Sequence, residues 1–130
     1  LFSPILSEIR SIYAYDTINS SWLIYHPNSS IPGTLSRINP RTGYFLIMKN
    51  LATLTINGNI TYLNGTYPSL NVNQGWNIIG IHNLTNKTIG QELSGVDYGS
   101  AWLLNQSGGY EQMSNLDLTK SGSGYWVYVN

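Results

Sequence analysis

Very few side chains in this 130-residue sequence could perform acid–base chemistry. The two histidines, His26 and His82, are the side chain type that most often acts as a base near neutral pH. Each lies next to a turn residue, and neither has an acidic neighbour at a spacing that would build a catalytic pair. A hydrolase would need the fold to bring one of them to a carboxylate and a nucleophile, and no Gly-x-Ser-x-Gly elbow is present. The sequence therefore predicts a protein that is not an enzyme.

The carboxylates are thinly spread, at Glu8, Asp16, Glu92, Asp97, Glu111 and Asp117. A glycosidase needs two carboxylates that face each other across a cleft, and calcium loops show closely spaced aspartates that are absent here. The sequence has no cysteine, which excludes disulfides and thiolate metal sites. We expect no metal site and no cofactor, and we interpret Asp16 and Asp97 as turn carboxylates that accept backbone N–H bonds.

Aromatic residues are the best candidates for binding. Four tryptophans accompany ten tyrosines. In the segment 125–129 both faces of a strand would be apolar, which is typical of a strand buried on both sides. We therefore expect the tryptophans to form the core, with sugar stacking on Trp126 and Tyr128 as the alternative. The four tryptophans are Trp22, Trp76, Trp102 and Trp126.

Seven Asn-x-Ser/Thr acceptor patterns for N-glycosylation occur beside turn residues. They predict an exported glycoprotein, extracellular or on a cell surface. The alternative is that asparagine, serine and threonine are common because a weakly charged β protein uses them in turns. The predicted glycosylation sites are Asn19, Asn28, Asn59, Asn64, Asn83, Asn86 and Asn105.

Charge and hydropathy exclude two classes of partner. Only 9% of the residues are charged, the net charge is zero, and the lysines and arginines are scattered. Nucleic-acid binding requires clustered cations, so we expect no nucleic-acid partner. No apolar run reaches the roughly 18 residues that span a bilayer, so we expect no membrane span.

Local patterns place two short helices among strands. Ser3 followed by Pro4 predicts a helix start, with an apolar stripe running on to Tyr13. Thr88 and Gln91 have capping-box spacing and predict a second helix. The remaining segments indicate strands, among them a hairpin of 12–16 with 22–26, a turn at Asn57-Gly58 and a return strand at 60–63. The other predicted strands are 43–49, 51–56, 75–82, 102–105 and 125–129.

Two stretches of the chain are similar to each other. Residues 34–48 match 114–129, and upstream the Trp22 segment matches the Trp102 segment. This predicts one domain, 1–130, made of two related halves, about 1–57 and 75–130, joined by a hairpin region at 58–74. The first half lacks a strand like 75–80 before its helix, and the second lacks a strand like 51–57 at its end.

The segments TGYFLIMKNLATLTINGN, GWNIIGIHN and GSGYWVYVN resemble a repeat found in cell-surface proteins of bacteria and archaea. In that repeat a Gly-Trp-Asn strand opens the unit, a short helix and a tryptophan strand follow, and a Gly-Tyr-Trp strand comes near its end. The resemblance implies an extracellular β module with no general chemistry.

Together these observations predict an all-β fold with one or two short helices. Its two pseudo-repeated halves would form a sandwich or a partly closed barrel, with completion by a strand from a neighbouring subunit as one alternative. The predicted function is that of a non-enzymatic structural glycoprotein of a surface layer, filament or adhesive appendage. It would assemble into a homo-oligomer or polymer through edge strands near both termini. A carbohydrate-binding or adhesin module using exposed aromatics is the alternative function.

Overall fold

The computed structural model describes residues 2–28, 30–55, 69–81, 86–105 and 107–130. These residues form seven strands, one 3₁₀ helix and one short α-helix. The 3₁₀ helix is Ser3–Glu8, and the α-helix, α1, is Ile89–Glu92. The strands are β1 (Ile9–Asp16), β2 (Ser21–Tyr25), β3 (Phe45–Met48), β4 (Gly75–Gly80), β5 (Tyr98–Leu104), β6 (Tyr110–Met113) and β7 (Gly124–Val129).

The strands form two antiparallel sheets. The first sheet has the order β2-β1-β3, and the second has the order β4-β7-β5-β6. The predicted class is confirmed, because the protein is mostly β with two short helices and has a sandwich-like arrangement. The strands nearest the termini, β1 and β7, lie inside their sheets. The expectation that terminal strands form the sheet edges is therefore wrong, because each pairs on both sides with strands from its own half.

Both sheets follow the same local pattern. In each, the strand that follows a helix forms a hairpin with the next strand and pairs on its other side with a third. The register shifts between Ile9 and Ser11 in the first sheet, and between Tyr98 and Ser100 in the second. Such bulges increase the local twist of a sheet. This similarity supports the predicted repeat, which itself stays a prediction.

One part of the predicted match between the halves is wrong. Trp22 lies on the second strand of its hairpin, whereas Trp102 lies on the first strand of the corresponding hairpin. In the pairing register, Trp22 is opposite Tyr15 and Trp102 is opposite Gln112. Either strand of a hairpin can present an indole to the same sheet face, so the two tryptophan segments look equivalent in sequence without being so in space.

Each sheet packs its own buried cluster against its own helix. One cluster joins the 3₁₀ helix to β1, and the other joins α1 to the second sheet. The fully buried side chains include isoleucine, leucine, valine and Tyr125, but no tryptophan among the described residues. The prediction that the tryptophans form the core is therefore wrong. The clusters are Ile5, Ile9, Ile12, Ala14 and Leu35, and Ile79, Ile81, Ile89, Leu93, Ala101, Tyr125 and Val127.

The structure agrees with the predicted cap of the second helix but not with the predicted length of the first. Thr88 caps α1 as predicted, because its side chain accepts a bond from the Gln91 N–H and the Gln91 side chain accepts from the Thr88 N–H. The first helix is shorter than predicted and has no side-chain cap from Ser3. It ends at Glu8 because Ile9 begins a strand that pairs with Met48. Long-range pairing outweighs the local helical spacing of the apolar residues.

The two sheets meet where the segment before β3 runs alongside β4. Thr42 pairs with Ile79, and the Gly43 N–H donates to the Ile78 carbonyl at 3.0 Å. A Cβ atom at Gly43 would lie 2.3 Å from the Ile78 Cγ2 atom, so only glycine permits this approach.

Some predicted features lie outside the described residues, and one predicted strand is not formed. The Asn57-Gly58 turn, the strand 60–63 and most of the region 58–74 lie outside the described residues. Residues 51–55 are not a strand, although Ala52 and Leu54 pack against the first core cluster in alternation with exposed neighbours.

Candidate binding surface

The faces of the two sheets that point away from their helices are rich in aromatic side chains. Side chains alternate along a strand, so buried Ala14 places Tyr15 on the opposite face of β1, and buried Val127 places Trp126 on the opposite face of β7. Cross-strand pairing sets Trp22 opposite Tyr15, on the same face. The aromatic faces of both sheets contact each other, because Trp126 touches Tyr15 and Trp22 across the interface.

Trp126 is the centre of this contact. Its ring centroid lies 5.3 Å from that of Tyr15 and 5.8 Å from those of Trp22 and Trp76. The interplanar angles are 61°, 87° and 88°, so the rings meet edge to face. Edge-to-face pairs at these distances are favourable by about 0.5–1.5 kcal/mol each beyond their buried area. The contact therefore fixes the rings in place while it leaves other ring surfaces uncovered.

Beside this contact lies an open cavity of about 660 Å³, which we call the aromatic groove. Trp22 is 45% exposed, Trp76 41% and Tyr110 55%, whereas Trp102 and Trp126 are half-buried. Partly exposed large aromatics that converge on one cavity are unusual for a surface without a partner. The described lining residues are Tyr15, Trp22, Trp76, Ser100, Trp102, Tyr110 and Trp126.

The described lining of the aromatic groove contains no charged side chain. Its polar atoms are hydroxyls and indole N–H groups, and one pair is already joined, since the Trp102 indole N–H donates to the Ser100 hydroxyl at 3.2 Å. Such a surface can offer ring faces to apolar groups and a few hydrogen bonds at their edges. It suits an uncharged ligand with both apolar and hydroxylated faces.

Only one of the two predicted sugar-stacking residues lines the aromatic groove. Trp126 lines the aromatic groove, whereas Tyr128 is 40% exposed and does not line it. Tyr128 meets Trp76 edge to face, with centroids 5.2 Å apart and an angle of 68°. Among the described residues all the ring pairs are edge-to-face or tilted, so they form an angled surface and not a flat platform.

Sequence reasoning missed Tyr15 and Tyr110 as parts of this surface. Tyr13 and Tyr15 alternate with the buried residues Ile12 and Ala14 along β1, which was a usable signal for one aromatic face. Tyr110 gave no such signal, because β6 itself was not predicted.

A second cavity, of about 320 Å³, lies where the two sheets meet, and we call it the polar cleft. It is lined by residues of both sheets and of the loops 34–44 and 71–73. Its charged and amide lining side chains include Asp16, Arg37, Asn39, Arg41, Asn71 and Asn77.

The candidate catalytic groups in the described part of the chain do not assemble. His26 follows β2, is half-buried, and makes no hydrogen bond to a carboxylate in the described part of the chain. His82 lies outside the described residues. Residues 2–28, 30–55, 69–81, 86–105 and 107–130 contain no group of three or more histidine, cysteine, aspartate or glutamate side chains that could hold a metal ion.

Asp16 is a turn carboxylate, as predicted. Its Oδ1 atom accepts from the N–H groups of Ile18 and Asn19 at 3.0 and 3.2 Å, and Oδ2 accepts from the Asn19 side chain at 2.7 Å. The Asn19 side-chain amide, followed by its backbone N–H, lowers the pKa of the Asp16 carboxyl. The same prediction is wrong for Asp97, because its carboxylate accepts from the Asn130 side chain at 3.0 Å and from no backbone N–H among the described residues.

Four of the seven predicted glycosylation sites lie within the described residues. Asn19, Asn28 and Asn86 are exposed, and Asn105 is half-buried. The Asn28 Oδ1 atom accepts from the Ser30 N–H at 3.0 Å, and the Asn105 Oδ1 atom accepts from the Ser107 N–H at 3.1 Å. These bonds are those of turn asparagines, so both the glycan and the turn interpretations stay open. The remaining sites, Asn59, Asn64 and Asn83, lie outside the described residues.

Comparison with family models, with curated proteins and with solved structures gave no match to this chain. The resemblance to the cell-surface repeat therefore stays a prediction. In the part of the chain that the structure describes, no helix is long and apolar enough to cross a membrane.

Proposed function

We propose that this chain is a non-enzymatic, extracellular carbohydrate-binding or adhesion module, and that the aromatic groove is its binding surface. The observation that carries the proposal is the convergence of six aromatic side chains from both sheets on one open, uncharged cavity. Ring faces pack on the C–H faces of sugars, and the hydroxyl and indole groups at the rim supply hydrogen bonds. The sugar units that contact the aromatic groove are uncharged.

The lining of the aromatic groove favours a binding role over a purely structural one. Burying an exposed tryptophan face removes apolar area from water, which stabilises a complex by roughly 25 cal/mol per Å². Trp22 and Trp76 expose 45% and 41% of their surface without a covering element among the described residues. The angles between the rings favour a ligand that contacts two or three faces at once over a flat ligand on a single plane.

The extracellular location is proposed from the seven glycosylation patterns. Exposure of Asn19, Asn28 and Asn86 supports it, because an oligosaccharide attached there would extend into solvent. Expression in a host that performs N-glycosylation, followed by mass spectrometry of the glycopeptides, tests this part independently. Absence of glycan at all the sites would contradict it.

The binding proposal is tested with an array of neutral oligosaccharides and by quenching of tryptophan fluorescence in solution. We expect the wild-type chain to bind, and Trp22→Ala and Trp76→Ala each to weaken binding at least about tenfold, the factor that corresponds to 1.4 kcal/mol. Leu116→Ala is the matched control, because Leu116 is 83% exposed and does not line the groove. No binding by the wild-type chain, or equal losses in all three variants, would overturn the proposal.

A structural subunit of a layer, filament or appendage is the second candidate. Strand β6 supports it, because it pairs only with β5 among the described residues and so presents an open edge. An open edge can accept a strand from another copy. Electron microscopy of the native material would show filaments or lattices if this candidate holds, and dispersed monomers would contradict it.

A further inference from the structure

The polar cleft and the aromatic groove are neighbours. Tyr15 lines both cavities. The hydroxyl of Thr17, which lines the polar cleft, donates to the carbonyl of Trp76, which lines the groove, at 2.8 Å. One oligosaccharide of a few units can therefore contact both cavities around the junction of β1 and β4.

Among the described residues that line the polar cleft, Arg37 is the cation without a carboxylate partner. The Arg41 guanidinium bonds the Glu92 carboxylate at 3.0 Å. The Asp16 carboxylate keeps its negative charge, but its two oxygens accept hydrogen bonds within its own turn, and it forms no ion pair with a described residue. Arg37 is exposed and has no ion pair in the described part of the chain. An arginine without a carboxylate partner at the rim of a cavity attracts anionic groups.

Amide side chains add neutral hydrogen-bonding capacity. Asn77 is 5% exposed, and its amide nitrogen donates to the carbonyls of Asn73 and Gly75 at 2.8 and 2.9 Å. These bonds hold its side chain in place at the wall of the polar cleft. The side chains of Asn39 and Asn71 also line the cleft and make no hydrogen bond to a described residue. They are free to donate to and accept from the hydroxyls of a ligand.

We infer that the polar cleft is a second subsite that binds a carboxylate-bearing sugar unit, with Arg37 on the carboxylate and Asn39 and Asn71 on hydroxyls. A guanidinium binds a carboxylate through two parallel hydrogen bonds, which is a strong and directional contact. The cavity of about 320 Å³ has room for one sugar ring. This inference rests on the proposed function for the saccharide nature of the ligand, while the anion site rests on the cleft alone.

The test uses two trisaccharides that differ only in a terminal glucose or glucuronic acid, measured by calorimetry at low salt. We expect the acidic trisaccharide to bind about tenfold more tightly or better, as expected for a charged hydrogen bond. Arg37→Gln should remove this preference, so that the two trisaccharides bind with about equal affinity. Arg10→Gln is the matched control, because Arg10 is an exposed arginine that does not line the cleft. High salt should reduce the preference in the wild-type chain.

The outcomes separate the inference from the proposed function. Equal affinities for the two trisaccharides in the wild-type chain, or a preference that survives Arg37→Gln, overturns the acidic subsite and leaves neutral binding in the groove intact. If the neutral trisaccharide does not bind but free glucuronate shifts the Arg37 side-chain signals in an NMR titration, the anion site holds and the groove proposal fails. If the neutral trisaccharide does not bind and free glucuronate does not shift the Arg37 signals, both the acidic subsite and the groove proposal are overturned.

Discussion

Arg41 and Glu92 form an ion pair at 3.0 Å that ties the loop before β3 to helix α1, and so joins the two halves of the chain. The side chains are 11% and 2% exposed. The second carboxylate oxygen of Glu92, Oε1, is buried without a hydrogen-bond partner among the described residues. A buried carboxylate of this kind is stabilised chiefly by its cationic partner, and breaking a buried ion pair is strongly destabilising.

Replacing the Glu92 carboxylate is therefore expected to be costly. We predict that Glu92→Gln lowers the free energy of unfolding by about 3 kcal/mol, since it keeps the size of the side chain and removes its charge. Urea denaturation measures the change. Glu111→Gln is the control, because Glu111 is exposed and has no ion pair in the described part of the chain, and we expect a change within about 0.5 kcal/mol. Equal effects of the two substitutions would contradict a role for the ion pair.

The hydroxyl of Tyr125 accepts a hydrogen bond from the Lys120 N–H at 2.9 Å, and Tyr44 makes the corresponding bond to the Asn39 N–H at 2.8 Å. We predict that Tyr125→Phe costs about 1–2 kcal/mol, because it leaves a partly buried N–H without an acceptor. Tyr44→Phe should cost less, since its bond is exposed to water. Thermal unfolding of both variants tests this order, and the reverse order would contradict the assignment of Tyr125 to the core.

The tryptophans line a surface and not the core, which gives a prediction about stability. Ile79→Ala should lower the free energy of unfolding by about 2–5 kcal/mol, because Ile79 is 1% exposed and its truncation leaves a cavity. Trp22→Ala should cost less, although it removes a larger side chain, because Trp22 is 45% exposed. Chemical denaturation compares the two. A greater loss for Trp22→Ala would restore the interpretation of the tryptophans as core residues.

The Asp16 turn predicts a response to acid. Hydrogen bonds from Asn19 hold the pKa of the folded Asp16 carboxyl below its ordinary value. A carboxyl with a lowered folded pKa stabilises the fold above its unfolded pKa, about 3.9, and this contribution is lost as the pH falls through the folded pKa. We predict that Asp16→Ala is less stable than wild type at neutral pH and that the difference narrows as the pH falls below about 3.9, the unfolded pKa. A difference that is constant with pH would be inconsistent with this turn.

Local sequence signals predicted the parts of the fold that depend on near neighbours. The β1–β2 hairpin and the capping box of Thr88 and Gln91 were predicted because each is set by residues close in the chain. The first helix was overestimated, because the pairing of Ile9 with Met48 depends on residues far apart in sequence. Strand β6 was missed because its two central residues are Glu111 and Gln112, which show no apolar alternation.

The aromatic groove was harder to predict from the sequence than the hairpin and the helix cap. The sequence showed which aromatic residues share a strand face, but not that Trp22 and Trp126, from different sheets, approach to 5.8 Å. Convergence of two sheet faces is a tertiary property, because it depends on how the segment 41–43, which leads into β3, runs alongside β4. For this reason the tryptophans were predicted as core.

The most direct test of the account follows the four indole N–H signals of the chain by NMR while a neutral oligosaccharide identified on the array is added. All four tryptophans, Trp22, Trp76, Trp102 and Trp126, line the aromatic groove. We predict that their indole signals shift in a saturable manner with one common dissociation constant, while the backbone signals of the helix-side cores stay unchanged. Indole signals that do not move, or shifts confined to residues away from the groove, would contradict the claim that this surface binds carbohydrate.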